Sequence, residues 1–378
     1  MCLSLLSLRC SGSDQPAADP TPQAGAGAVS GAAMTSAGGP ASGGGGASAG
    51  ASDQAGSAGA PQSAGAAGTP AAAGAAGSAG AAGGSATTAP SGPTAGCKLP
   101  DPNEAPQTWL ERKITVANLP ADQVAMFGDR TYYVRLPVTY DHTKAYPVVF
   151  YGPGCGASHS EDTPMMASIK SDAIHVFLLQ KSSCFSTGSY PSPEVPYFTQ
   201  ALDEVQAKYC TDAGRVFVSG FSSGAWLANV LACSSGNRIR AIGTAAGGLN
   251  HSIVAGYKCP GDTAPGATPT TPAAQANLAG IFFTGANDTT NKAVSTGKDG
   301  LPNGVDAARD RLIAANGCDA NASEPWVNTF GADFCKIWKT GCPNAPVIYC
   351  VGPGVGHDNG SSLKISSKGF WEFWSTLP

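Results

Sequence analysis

RVFVSGFSSGAWLANVLAC, residues 215–233, is the stretch that decides the fold of this chain. Apolar residues at 216–218 predict a β-strand, GFSSG at 220–224 predicts a tight turn, and a helix is predicted to begin at Ala225. This order is typical of a nucleophile elbow, in which a strained turn between a strand and a helix exposes one serine hydroxyl. The candidate nucleophile is Ser222.

The G-x-S-x-G pattern alone is weak, because it occurs twice in this chain. Its other copy, at 46–50, surrounds Ser48 in a tract of Gly, Ala and Ser with no strand before it and no helix after it. The chain has 50 glycines, so chance matches are expected. The assignment of Ser222 therefore depends on the rest of the sequence.

Composition sets the class of protein. The chain has 378 residues and a net charge of −4, which argues against nucleic acid or an anionic membrane as a partner. Ten of its 12 cysteines lie between Cys97 and Cys350, without metal-ligand spacing. We expect several disulfides and a secreted or cell-surface location; reduced, buried cysteines are the alternative. No metal or cofactor is predicted.

The first part of the chain predicts export and a spacer. Residues 1–10 contain a short apolar run that resembles the end of a signal peptide, and Cys10 is a candidate lipid anchor. However, no Lys or Arg precedes the run, and Arg9 is a poor cleavage context. Residues 11–96 are mostly Ala, Gly, Ser, Pro and Thr, which predicts a disordered linker. No apolar run reaches the roughly 18 residues of a transmembrane helix.

Residues 97–378 predict one α/β domain. Strands alternating with helices indicate a mostly parallel sheet covered by helices on both faces, and functional residues then collect at the carboxyl ends of the strands. The predicted strands are 131–136, 147–151, 173–179, 216–218, 239–245, 280–284 and 346–351, and the predicted helices include 197–209, 305–315 and 370–377.

An acid and a histidine follow two later strands. Asp288 comes after the strand at 280–284 and His357 after the strand at 346–351, which gives the order Ser, acid, His of an α/β-hydrolase. A serine hydroxyl needs a histidine to accept its proton and a carboxylate to orient that histidine. Of the five histidines, only His357 has this placement.

The acid is less securely identified than the histidine. Asp306 and Asp310 lie in a predicted helix and are explained as solvated charges, whereas Asp262, in a long loop, stays an alternative to Asp288.

An oxyanion hole is expected from two backbone N–H groups. One belongs to Ser223, directly after the nucleophile, and the other to the loop at 152–156. Pro153 has no N–H, so the second donor is Gly154 or Cys155.

Two aromatic residues, Phe221 and Trp226, stand beside the predicted nucleophile. They are candidates for an acyl pocket, although aromatic residues at such positions more often serve ordinary packing.

The segment of residues 130–377 resembles the secreted feruloyl esterases and polyhydroxybutyrate-depolymerase-like esterases of the α/β-hydrolase superfamily. The resemblance implies that Ser222 is the nucleophile, Asp288 the acid and His357 the base. It is carried by RTYYVRLPVTYD (130–141), the segment 209–233, FTGAND (283–288), AANGC (314–318) and GCPNAPVIYCVGPGVGH (341–357).

This chain departs from those relatives at two places. They usually have His-Gly where it has Tyr151 and Gly152, followed here by an additional Pro153, and a further His where it has Thr284. The family also forms disulfides. The cysteines at 318, 335, 342 and 350 look like one cluster bracing the histidine loop, with their pairing open.

The expected activity is that of a monomeric serine esterase acting on hydroxycinnamoyl esters of plant cell-wall polysaccharides. Hydrolysis of polyhydroxyalkanoates or other short acyl esters is the alternative within the same chemistry. A catalytically silent surface binding protein, held away from the cell by the spacer, is a third hypothesis.

Overall fold

The structure is a computed structural model that describes residues 90–159, 171–188, 192–249, 278–296 and 302–378. The described residues belong to one compact unit, Gly80–Pro378. The predicted signal segment with Cys10, the spacer up to residue 89, and Asp262 lie outside them. The last residues of the predicted spacer do contact the domain, since the N–H of Thr94 donates to the carbonyl oxygen of Thr211 over 2.9 Å.

The described part of the chain contains a ten-stranded sheet in the order β1-β2-β4-β3-β5-β6-β7-β12-β11-β10. The six neighbouring strands β4, β3, β5, β6, β7 and β12 run parallel to one another. At the two edges, β1 and β2 on one side and β11 and β10 on the other pair antiparallel. The predicted α/β fold with a mostly parallel sheet is thus confirmed. The strands are β1 (Leu110–Thr115), β2 (Asp129–Arg135), β3 (Tyr146–Gly152), β4 (Ile174–Leu178), β5 (Thr211–Phe221), β6 (Ala241–Ala245), β7 (Ala279–Gly285), β10 (Ser323–Pro325), β11 (Cys335–Trp338) and β12 (Val347–Gly352), while β8 (Ser295–Thr296) and β9 (Pro302–Asn303) form a separate pair.

Helices cover both faces of this sheet. Leu202, Leu231 and Leu312, from three helices, join the apolar cluster on one face. On the other face Trp374 stacks on Phe217 of β5, with ring centroids 5.0 Å apart. Burial on both sides explains why the central strands are continuous apolar runs. The described helices are α1 (Ala121–Phe127), α2 (Glu194–Lys208), α3 (Ser223–Ser235), α4 (Gly304–Asn316) and α5 (Phe370–Ser375).

Disulfides connect segments of the domain that are separated in the sequence. The bridge between Cys335 and Cys350 ties β11 to β12, the strand that leads to His357. The expectation of several disulfides is confirmed, and the cysteine cluster forms two bridges. The described bridges are Cys97–Cys210, Cys155–Cys184, Cys318–Cys342 and Cys335–Cys350, and Cys233 is also disulfide-bonded.

Among the helices that the structure describes, none is both long and apolar enough to cross a membrane.

Candidate active site

Ser222 lies at the junction of β5 and α3, in the turn that its sequence predicts. Its φ is 53° and its ψ −114°, a conformation that non-glycine residues rarely adopt and that clusters at functional sites. The surrounding backbone holds it there, because its N–H donates to Ala245 of β6 over 2.9 Å and its carbonyl accepts from Ala225 over 3.0 Å. Hydrogen bonds to the sheet and to the helix therefore hold Ser222 in this strained backbone conformation.

The flanking glycines are required by close approach of backbone to backbone. A Cβ on Gly224 would lie 1.8 Å from the carbonyl oxygen of Gly152, and a Cβ on Gly220 would lie 2.2 Å from the carbonyl carbon of Gly224. Neither contact can be relieved by moving a flexible side chain. The elbow consequently packs directly against the end of β3.

The structure brings Ser222, Asp288 and His357 together. The Oγ of Ser222 is 3.0 Å from Nε2 of His357, and Nδ1 of His357 is 2.9 Å from Oδ2 of Asp288. With the proton on Nδ1, the imidazole donates to the carboxylate and accepts from the serine hydroxyl. Three residues from the ends of β5, β7 and β12 thus form one hydrogen-bonded series.

Asp288 divides its two oxygens between the backbone and the histidine. Its side chain is fully buried. Oδ1 accepts from the N–H groups of Thr290, over 2.9 Å, and Asn291, over 2.8 Å. These bonds stabilise a buried carboxylate that would otherwise be costly to desolvate. Only Oδ2 is left to face His357.

The other aspartates differ in their surroundings. Asp306 accepts a hydrogen bond from the hydroxyl of Tyr349 and lies 3.5 Å from Arg309. Asp310 is exposed and also pairs with Arg309. Both therefore pair with Arg309 of the same helix, α4.

The loops that carry the acid and the histidine are hydrogen-bonded to each other. The N–H of Ala286 donates to Gly352 over 2.9 Å, and that of Asn287 donates to Val355 over 2.8 Å. Gly285 permits this approach, because a Cβ there would lie 2.2 Å from the carbonyl oxygen of Gly356. This pairing fixes the distance between the carboxylate and the imidazole.

The loop after β3, which contains the predicted second oxyanion donor, faces the elbow. A Cβ on Gly154 would lie 3.6 Å from Cβ of Ser222 and 3.0 Å from the ring of Phe221. Ser223 begins α3, so its N–H has no acceptor within the helix. Its hydroxyl donates to the carbonyl oxygen of Pro153 over 3.3 Å.

The two aromatic candidates differ in position. The ring centroid of Phe221 is 5.0 Å from that of His357, so Phe221 borders the triad directly. Trp226 lies on the first turn of α3, where its Cδ1 is 2.9 Å from the position that a Cβ on Gly247 would take. Both side chains are half-buried.

Sequence reasoning missed Gln180. Its Nε2 donates to the carbonyl oxygens of Gly154 and Ala157, each over 3.2 Å. The only signal in the sequence is a polar residue shortly after the buried strand β4.

Over the described ranges, no group of three or more His, Cys, Asp or Glu side chains is placed to hold a metal ion.

Curated relatives of this chain are feruloyl esterases. Feruloyl esterase D of Neurospora crassa is 24% identical over 267 residues, which cover 65% of this chain and 81% of that protein. A probable feruloyl esterase C of Aspergillus niger is 24% identical over 277 residues, which cover 67% of this chain and 87% of that protein. No protein-family profile matches the chain.

Solved structures of esterases are also similar. An acetyl xylan esterase from Aspergillus awamori matches with a TM-score of 0.45 and 18% identity, over 69% of this chain and 99% of that one. A ferulic acid esterase from Anaeromyces mucronatus, in complex with ferulic acid, matches with a TM-score of 0.43 and 16% identity. The match covers 74% of this chain and 94% of that one. By its own fold the chain is an α/β-hydrolase, and its sequence similarity to feruloyl esterases supports a carboxylic ester hydrolase.

Proposed function

We propose that this ester hydrolase is a secreted serine esterase that works through an acyl-enzyme on hydroxycinnamoyl esters. The observation that carries the proposal is the hydrogen-bonded series from Ser222 through His357 to Asp288. The serine is also strained at the start of a helix, where backbone N–H groups stabilise developing negative charge.

In the first half of the reaction, Oγ of Ser222 attacks the ester carbonyl carbon and its proton passes to Nε2 of His357. Asp288 keeps Nδ1 protonated and stabilises the imidazolium. The carbonyl oxygen becomes an oxyanion held by backbone N–H groups, one of them from Ser223. When the tetrahedral intermediate collapses, the C–O bond to the alcohol breaks and Nε2 returns its proton to the leaving oxygen.

In the second half, water attacks the acyl-enzyme. His357 accepts a proton from the water, and a second tetrahedral intermediate forms at the same carbonyl carbon. The bond to Oγ then breaks, Ser222 takes the proton back, and the free acid leaves. No redox partner or further reactant is required.

The substrate class is proposed from the relatives, which carry the name feruloyl esterase. The ring of Phe221 beside His357 gives an aromatic acyl group an apolar surface near the reacting serine. The described disulfides are typical of an oxidising compartment, which supports secretion.

Release of ferulate from methyl ferulate, measured for wild type and Ser222→Ala, tests the proposal. We expect turnover by wild type and, for the variant, a loss on the order of 10⁶-fold, as for other serine triads. Clearing of a polyester suspension without ferulate release would indicate that the substrate is a polyhydroxyalkanoate and not a hydroxycinnamoyl ester. Activity on neither, together with no labelling by a fluorophosphonate, would support a binding protein that keeps the fold.

A further inference from the structure

The sequence leaves the second oxyanion donor open between Gly154 and Cys155. From the geometry of their two peptide groups, we propose that the donor is the N–H of Cys155, and that Gln180 is the positioning residue that aims it. This inference rests on the proposed serine-esterase function.

The direction of each N–H follows from the carbonyl of the same peptide group, because in a trans peptide the two point in opposite directions. The carbonyl of Pro153 faces α3, where it accepts from the hydroxyl of Ser223 over 3.3 Å. The N–H of Gly154, in the same peptide, therefore points away from the elbow.

The next peptide group has the opposite orientation. The carbonyl of Gly154 accepts from Nε2 of Gln180 over 3.2 Å and, within the turn itself, from the N–H of Ala157 over 3.3 Å. Gln180 follows β4, which lies on one side of β3, while the elbow strand β5 lies on the other. Since the Gly154 carbonyl points toward β4, the N–H of Cys155 points toward the side that holds Ser222.

Gln180 is built into the fold firmly enough to set this orientation. The residue is only 8% exposed, and Nε2 also donates to the carbonyl oxygen of Ala157 over 3.2 Å. Both neighbours are carbonyl oxygens, so the amide must present its NH₂ group to them. The turn is further tied to the same segment, because Gly156 donates to Ser183 over 2.6 Å and Cys155 is bonded to Cys184.

A buried ion pair anchors the other end of that segment. Oε2 of Glu194 lies 2.8 Å from Nη2 of Arg130, and both side chains are fully buried. Oε1 of Glu194 accepts from the N–H of Ser186 over 2.9 Å. The segment that carries Gln180 and Cys184 is thus fixed to α2 as well as to β4. A rigid support of this kind is what an oxyanion donor requires.

The test measures kcat per active site on p-nitrophenyl acetate for Gln180→Leu and Gln180→Glu. Active sites are counted by end-point labelling with a fluorophosphonate, so misfolded molecules do not enter the count. We expect kcat per site to fall about 10- to 100-fold with KM changed by no more than about twofold, because a misdirected donor weakens only the transition state. The rate of labelling should fall with kcat.

Gln200→Leu is the matched control. Gln200 of α2 also bridges backbone groups, donating to Thr115 over 3.2 Å and accepting from Ala117 over 3.1 Å, at the end of β1. Its kcat per site should equal that of wild type. If the Gln180 variants keep kcat per site within about twofold of wild type, the role of Gln180 is structural and the inference is wrong. If wild type itself is neither active nor labelled, the proposed function fails, and the inference falls with it.

Discussion

Asp288 shows how single hydrogen bonds determine the chemistry of the site. Backbone N–H groups of Thr290 and Asn291 occupy one carboxylate oxygen, so the other is reserved for His357. The sequence places Asp288 and His357 after their strands, but it does not reveal these two amide donors, because they depend on how the backbone turns after β7.

Asp288→Asn should therefore reverse the imidazole tautomer. The two amides need an acceptor, so the side-chain oxygen stays with them and the NH₂ group faces Nδ1 of His357. Nδ1 then carries no proton and Nε2 cannot accept one from Ser222. We expect kcat to fall by roughly 10³- to 10⁴-fold with KM nearly unchanged, measured by steady-state hydrolysis of p-nitrophenyl acetate.

The control for this change is Asp310→Asn, at an exposed aspartate on α4. It should keep full activity. If the kcat of Asp288→Asn stayed within about tenfold of the wild-type value, Asp288 would not set the tautomer.

At the scale of elements, the contact between the elbow and β3 is the tightest in the site. A Cβ on Gly224 would lie 1.8 Å from the backbone oxygen of Gly152, whereas one on Gly214, also outside the left-handed region, would meet nothing closer than 3.4 Å. The G-x-S-x-G pattern distinguishes Gly224 from Gly214 in the sequence. The distance between the start of α3 and the end of β3 is visible only in the structure.

We expect Gly224→Ala to lower the free energy of unfolding by about 2 to 3 kcal/mol or more, because the backbone must move to admit the methyl group. Gly214→Ala should change it by less than about 1 kcal/mol. Urea unfolding followed by Trp fluorescence measures both. Equal stability of the two variants would contradict the close approach of the elbow to β3.

The central strands could be predicted from the sequence and the edge strands could not. β3, β6 and β7 are buried on both faces and appear as apolar runs. β1 is an edge strand in which only Ile114 is buried, so its residues LERKIT show no apolar run. The position of β4 between β2 and β3 is a property of the tertiary fold that local sequence does not specify.

For the whole molecule, a partly buried charge cluster ties the residues just before β1 to the rest of the domain. Glu104 accepts from Arg112 of β1 over 2.6 Å, from Lys208 over 2.5 Å and from the hydroxyl of Tyr209 over 2.6 Å. Burial alone would raise the pKa of Glu104, but the hydrogen bonds from Lys208 and Tyr209 and the charge of Arg112 together lower it below 4.5.

A lowered pKa in the folded state means that this stabilisation is present above pH 4.5 and is lost as the pH falls below that value. Glu104→Gln should therefore cost about 1 kcal/mol of unfolding free energy at neutral pH, allowing for partial exposure. The difference from wild type should shrink at pH 3. Urea unfolding at both pH values checks this, and a difference independent of pH would contradict a role for the charge.

Across the molecule, the proximity of Ser222, Asp288 and His357 could be predicted because these residues follow strands whose order is visible in the sequence. The loop that carries Cys155 could not, since its conformation depends on Gln180, Ser183 and a disulfide from a separate segment. Contacts between loops distant in sequence leave no local pattern.

The central claim is that Ser222 is the nucleophile. Intact-protein and peptide mass spectrometry after reaction with a fluorophosphonate tests it most directly. We predict one adduct per molecule, located on the peptide that contains Ser222, absent from Ser222→Ala and strongly slowed in His357→Ala. An adduct on any other residue, or undiminished ester hydrolysis by Ser222→Ala, would contradict the account.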